Sequence, residues 1–229
     1  AMGSRFTAGL LVLFPAWQIV TGEDKLGSKA KNLVLLVIGS IVMVIVVLGY
    51  NYIRFGDLWN NGYKMANLAH LNEAEREKAF AEGLFNIKFL PGNIYAYFLS
   101  LPRPVVGQKW GDLEVLKWPY FRVMYPGTAF WLTSPIFLAV AFSDWRKNWV
   151  RGAGVTILIV WMVLLLYYWP GWAQVGSRHL CDLTPVAYLL LLEVVRARGI
   201  GWKTKGLVVV SSMINLFLFA DLFIGRMGV

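Results

Sequence analysis

NLVLLVIGSIVMVIVVLGYNYI (Asn32–Ile53) is 22 residues long and carries no charge. A helix needs about 20 such residues to cross the roughly 30 Å apolar core of a bilayer. Its Val and Ile residues lower helix propensity in water. In lipid the backbone must satisfy its own hydrogen bonds, so the helix wins regardless. The stretch therefore sets the class as an all-α integral membrane protein. Composition agrees, with 58% apolar and 15% charged residues among 229. Soluble domains run at about 45–50% and about 25%.

Working outward, five further apolar runs are expected to span, for about six transmembrane helices in all. They are Phe6–Gly22 (interrupted by Pro15), Pro126–Ser143 (with Pro135 inside), Gly152–Trp169, Leu180–Val195 and Leu207–Ile224. The chain then divides into two spans over 1–53, an external segment over 54–125 and four spans over 126–229. The external segment is expected to hold a soluble-type helix with an Asn72/Glu75 capping-box start, acidic Glu73 and Glu77, and a Phe80/Leu84 pair. Phe85–Leu101, cut by Pro91-Gly92, is too short to span and reads as an interfacial or re-entrant helix. Arg103–Tyr125 reads as a structured loop.

Charge fixes the expected orientation. The loops after spans one, three and five carry Lys25, Lys29 and Lys31, then Arg146, Lys147 and Arg151, then Arg196, Arg198, Lys203 and Lys205. The loop between spans four and five has Arg178 alone. The positive-inside rule puts the first three in the cytoplasm and leaves the long segment and the Arg178 loop outside. The expected location is a bacterial or archaeal cytoplasmic membrane. The formal charge of +9 fits cytoplasmic loops and anionic headgroups, and no alternation of basic and aromatic residues suggests nucleic acid. Cys181, the single cysteine, is expected to be a small buried residue. No secretory leader pattern is seen. Ala1 precedes Met2, which reads as a tag remnant or as a piece of a longer polypeptide.

Two polar clusters sit at span ends. In WPGWAQVGSRHLCD (Trp169–Asp182), a helix starting near Ser177 would put Arg178, His179 and Asp182 on one face at i,i+3 and i,i+4 spacing. Such charge at a membrane helix end is paired or used. The cluster is either an anionic headgroup site, with Arg178 on the phosphate and Asp182 holding it or His179, or a self-satisfied ion cluster ending a helix. In YNYIRFGDLWNNGY (Tyr50–Tyr63), Arg54 faces a phosphate-bearing lipid beside a sugar-binding wall of Asn51 and aromatics, or it merely anchors the helix end. Asp57 as a general base or metal ligand has no partner in the sequence. There is no P-loop, no dinucleotide fingerprint and no zinc or hydrolase motif, so neither a metal nor a cofactor is implied. Mid-span carboxylates, the usual sign of ion-coupled transport, are missing.

A resemblance enters through five stretches taken in order. YNYIRFGDLWNNGY resembles the N-Y-x-R-F-G…G-Y stretch of GT-C-type membrane glycosyltransferases, the multi-span enzymes related to protein O-mannosyltransferases and aminoarabinose transferases. FLPGNIYAYFLSLP (Phe89–Pro102) is similar to their Y-L-P-x-N-L-Y-x-Y-L…P stretch, and PGTAFWLTSPIFL (Pro126–Leu138) to their G-L-x-x-x-S-P helix start. GWAQVGSRHLCDLTPVAYLLLL (Gly171–Leu192) resembles G-W-x-Q-F-G-x-R-Y-x-L-D-x-x-P-F, and SRFTAG (Ser4–Gly9) an x-R-P-T entry to a span. His179 and Val175 stand where the family has Tyr and Phe.

The resemblance implies sugar transfer from a polyprenyl-phosphate-linked donor to an acceptor at the outer membrane face. It carries over Arg54, Asn93, Gln174, Arg178 and Asp182. It also implies that this chain matches only the C-terminal half. The catalytic carboxylate would then lie in missing sequence or on another chain, and no residue here is assigned to catalysis. The expected site is headgroup binding by Arg178, Asp182, His179 and Arg54, walled by Gln174, Asn51, Asn93 and Asp57. The alternative is a non-catalytic membrane subunit, or scaffold, of a larger complex. Membrane lipid and a second chain are the expected partners.

Overall fold

The structure is a computed structural model describing residues 6–60, 83, 85–111, 113–168, 170–171 and 174–227. The expected Asn72 helix lies outside the described residues. The chain forms two units, Ala1–Asn86 with Trp145–Val163 and Ile87–Asp144 with Leu164–Val229.

In the first unit, α1 (Phe6–Gly9), a 3-10 turn (Leu10–Val12) and α2 (Leu13–Thr21) make one irregular apolar helix. The decisive stretch lies in α3 (Leu26–Phe55), 30 residues long. None of its most apolar window is buried in the protein. Val34, Leu35, Val37, Ile38, Ile41, Val42, Val44, Ile45 and Val46 are all at least half exposed. A helix that is apolar all round is stable only in an apolar surrounding. Covering the exposed half of nine such side chains is worth roughly 7–15 kcal/mol. Gly56 closes the helix in the left-handed conformation (φ +70), its N–H bonding Tyr52 O at 2.8 Å. Lys29, expected in a loop, lies inside the first turns of α3 and donates to Val20 O at 2.9 Å.

The same unit holds most of α6 (Asn148–Leu165). Trp17 packs flat on α6 because Gly152 has no side chain, and a Cβ there would lie 2.2 Å from the indole. Small residues permit such close approach between membrane helices. The Trp17 N–H reaches Asn148 O at 3.2 Å, and the Asn148 amide donates to Thr21 Oγ1 at 2.5 Å.

The second unit opens with a 3-10 turn (Ile87–Phe89), α4 (Leu90–Ile94) and a π turn (Tyr95–Leu99). Pro91 falls in the first turn of α4, where its missing N–H is harmless, so it starts the helix instead of cutting it. Asn93, Ala96, Tyr97 and Ser100 are buried at i, i+3, i+4 and i+7, while Ile94, Tyr95 and Leu99 face outward.

The expected structured loop is a β-hairpin of β1 (Arg103–Trp110) and β2 (Leu113–Arg122), so the protein is mostly helical and not all-α. Val105, Val106, Val115, Trp118, Tyr120 and Phe121 favour strand. Pro104, Pro119 and the interspersed Lys and Arg hide that preference in the sequence. Both strands are edges, where Pro is tolerated. The register passes from Pro104↔Phe121 to Val106↔Leu116, which bulges Lys117–Tyr120 outward. That bulge brings Trp118 against Phe217 edge-on at 6.4 Å.

Of the six expected spans, the described residues hold three helices long and apolar enough to cross a membrane: α3, α6 and α8 (Trp202–Met227). The run expected as span three is broken into α5 (Phe130–Thr133) and a 3-10 helix (Pro135–Phe142). Pro135 forces Ser134 out of helical geometry. The carbonyl freed at Thr133 is satisfied by α8, from Ser211 Oγ at 2.8 Å and Asn215 Nδ2 at 2.5 Å. The expected fifth span is α7 (Thr184–Arg198), only 15 residues, about 22 Å of helix. The expected first span reaches only Thr7–Thr21 as apolar helix. Against α7, Phe137 meets Tyr188 at 5.1 Å, and the buried Glu193 accepts the Asp144 N–H at 3.2 Å.

Candidate functional site: a junction of three loops

Three segments distant in sequence meet in the second unit. The Ala129 N–H donates to Ser100 O at 2.7 Å, and Ser100 Oγ donates to Gly127 O at 2.6 Å. The Thr128 N–H reaches Gln174 O at 3.2 Å, and Thr128 Oγ1 accepts the Gly176 N–H at 2.8 Å. The chain turns through a cis Tyr125–Pro126 bond as it enters this junction. Partial burial raises the Tyr125 phenol above its ordinary value, so it stays neutral.

Gly176 is required on two counts. Its φ is +71, and a Cβ would lie 2.7 Å from Thr133 Oγ1. Gln174 folds back over Gly171, where a Cβ would lie 2.2 Å from the amide nitrogen. Ser177 Oγ and Gln174 Nε2 are buried without a hydrogen-bond partner among the described residues.

Asn93 locks the neighbouring chain. It is 2% exposed, and its amide donates to Leu165 O at 2.8 Å and Tyr167 O at 2.6 Å. Tyr167 in turn packs its ring 5.7 Å from that of His179. One buried amide thus fixes the stretch that backs His179. Asn93 is therefore a brace inside the junction.

The charged cluster departs from its expected geometry. Arg178–Asp182 is a 3-10 helix, and α7 starts only at Thr184. Pro185 explains this, because an α-helix running through it would lose the bond to Cys181 O and clash there. At three residues per turn, His179 and Asp182 share a face, while Arg178 points about a third of a turn away. Burial divides them the same way. His179 is buried, Asp182 is intermediate and Arg178 is exposed. Arg178 is thus the exposed charge on a partly buried 3-10 turn. Cys181, expected buried, is exposed because the 3-10 turn puts it at i+3 from Arg178, on the same outward face.

Arg54, Asn51 and Asp57 belong to the first unit. Arg54 donates to Tyr50 OH at 3.0 Å and lies 5.1 Å over the Phe55 ring. The Asn51 amide is buried and donates to Leu58 O at 3.1 Å. Asp57 Oδ1 accepts the Trp59 N–H at 2.9 Å, an Asx turn. Two of the three side chains hold the local turn, and Arg54 rests on rings of its own helix. Among the described residues no group of three or more His, Cys, Asp or Glu could hold a metal ion.

Sequence reasoning missed Ser100, Thr128, Ser177 and Tyr167. The Ser100 and Thr128 hydroxyls bind distant backbone, which leaves no spacing signal. No family model, curated protein or solved structure was found to match the chain.

Proposed function

We propose that the chain is the C-terminal membrane module of a glycosyltransferase that takes its sugar from a polyprenyl-phosphate-linked donor at the outer face of a bacterial or archaeal cytoplasmic membrane. The observation carrying this reading is the junction itself. Three of the stretches that resemble GT-C enzymes, separated by tens of residues, are tied together by buried hydrogen bonds around Thr128.

On this reading Arg178 meets the donor phosphate. A guanidinium binds phosphate through two parallel charge-assisted bonds. Ser177 and Gln174, with spare donor capacity, lie on the same loop. Asp182 and the buried His179 hold the 3-10 turn that presents Arg178. The chain positions the donor. By the resemblance, the carboxylate that activates the acceptor would be supplied by sequence outside this chain.

The test uses the full chain in phosphatidylcholine nanodiscs, titrated with undecaprenyl phosphate and, separately, with undecaprenol, and read by native mass spectrometry. Saturable binding of the phosphate lipid only is expected. Equal retention of the two lipids, or of neither, removes the donor site and leaves a non-catalytic membrane subunit as the better reading.

A further inference from the structure

The β-hairpin has no role in the donor site, yet it exposes several large apolar side chains. Val106, Leu113, Trp118 and Tyr120 are all close to half exposed or more. The two strands also carry Arg103, Lys109, Lys117 and Arg122 against a single carboxylate, Glu114. Lys109 stands opposite Glu114, and Arg103 stands opposite Arg122 at the open end. Arg122 Nε lies 3.8 Å from Asp221 Oδ1, whose carboxylate is buried on α8. Arg103 and Lys117 have no ion pair among the described residues.

The hairpin's height follows from its two contacts with α8. Phe217 and Asp221 are one turn apart on that helix, about 6 Å along its axis. Trp118, nearer the hairpin turn, touches Phe217, and Arg122, at the open end, touches Asp221. From Arg122 to Trp118 the strand therefore runs from the end of this apolar helix toward its middle. The strands cannot lie wholly in water if α8 lies in lipid.

We propose that the hairpin is seated in the membrane interface. Its bulged Trp118 and neighbouring Leu116 and Val106 lie at the top of the acyl chains, and Arg103 and Lys117 bind the phosphates of anionic phospholipids in the same leaflet. Charge complementarity selects this occupant: a cationic rim beside an aromatic stripe suits anionic headgroups over acyl chains. An aqueous domain of another protein matches neither the stripe nor its depth on α8. The proposal stands apart from the donor reading, because it needs no polyprenyl lipid and no residue of the junction.

The test uses the full chain with Cys181→Ser and a nitroxide on Leu116→Cys, in bilayers of phosphatidylcholine with phosphatidylglycerol. A second label on Glu23→Cys, in an exposed loop, is the aqueous reference. The Leu116 label is expected to relax more with oxygen than with a water-soluble nickel chelate, and the Glu23 label the reverse. In the same bilayers, spin-labelled phosphatidylglycerol is expected to associate with the chain in preference to phosphatidylcholine. Arg103→Gln and Lys117→Gln should each reduce that preference by up to about fivefold. A Leu116 label that reads aqueous overturns the proposal. So does one shielded from both reagents, which means a protein covers the hairpin. An unchanged lipid preference in both Gln variants overturns it as well.

Discussion

The Gln174–Asp182 junction and the Tyr50–Trp59 turn look alike in sequence. Each is a short polar stretch with one Arg, at the end of an apolar run. They are built in opposite ways. In the Tyr50–Trp59 turn the side-chain bonds close within seven residues: Arg54 to Tyr50, Asn51 to Leu58, Trp59 to Asp57. In the junction the bonds close over much longer separations, 27 residues for Ser100 to Gly127, 48 for Gly176 to Thr128 and 74 for Asn93 to Tyr167. A locally closed turn needs only its own helix. A junction closed at long range exists only if the whole unit folds, and it can hold a side chain in one place against a ligand. That contrast is the physical ground for assigning the phosphate to Arg178 and an anchoring role to Arg54.

The largest expected effect falls on the paired asparagines. Asn93→Ala strands buried carbonyls at Leu165 and Tyr167 and should destabilise the chain by about 3 kcal/mol. Asn51→Ala loses one bond to Leu58 and should cost about 1 kcal/mol. Unfolding in mixed detergent micelles, followed by circular dichroism, measures both. Equal losses would remove the distinction between the two regions.

The two glycines sharpen it further, because their backbone angles match. Gly56 and Gly176 have φ of +70 and +71, but a Cβ at Gly56 meets nothing within 4 Å and one at Gly176 meets Thr133. Gly56→Ala should cost about 1 kcal/mol from the left-handed backbone alone. Gly176→Ala adds the steric term and should reach about 2–3 kcal/mol. The same unfolding assay reads the difference. A smaller loss at Gly176 than at Gly56 would show that the junction is looser than its hydrogen bonds indicate.

Thr128→Val removes the acceptor of the Gly176 N–H while keeping the side-chain shape, with an expected loss of about 1–2 kcal/mol. Amide hydrogen exchange of Gly176 should speed up in this variant, and unchanged protection would mean that the Thr128 hydroxyl is not its partner. The smallest effect is expected for Arg54→Gln, within about 0.5 kcal/mol, as for most exposed substitutions.

The same contrast explains what could be read from the sequence. The membrane-helix character of Asn32–Ile53 was legible because it depends on composition alone. The bonds of Asn51 to Leu58 and of Trp59 to Asp57 went unread although their partners are neighbours, because a short polar turn suits a binding wall equally well. Pro135 was visible, but its consequence depended on Ser211 and Asn215, which come some eighty residues later and make the break tolerable. Pro185 carried the signal that the α-helix does not run back through Arg178–Asp182, which forms a 3-10 turn instead. The hairpin was hidden because Pro and Lys residues sit among strand formers, and its register became fixed only through contacts with α8. Thr128, Ser100 and Asn93 act through backbone groups far away, so no spacing in the sequence marks them as partners.

The central claim is that the junction, and not the Tyr50–Trp59 turn, holds a lipid phosphate. Undecaprenyl phosphate affinity of Arg178→Ala and Arg54→Ala chains, measured side by side in nanodiscs, tests it directly. Loss of a charge-assisted contact at Arg178 should weaken binding by at least about tenfold, and Arg54→Ala should change it by less than about twofold. Unchanged affinity in Arg178→Ala, or a larger loss in Arg54→Ala, would contradict the account.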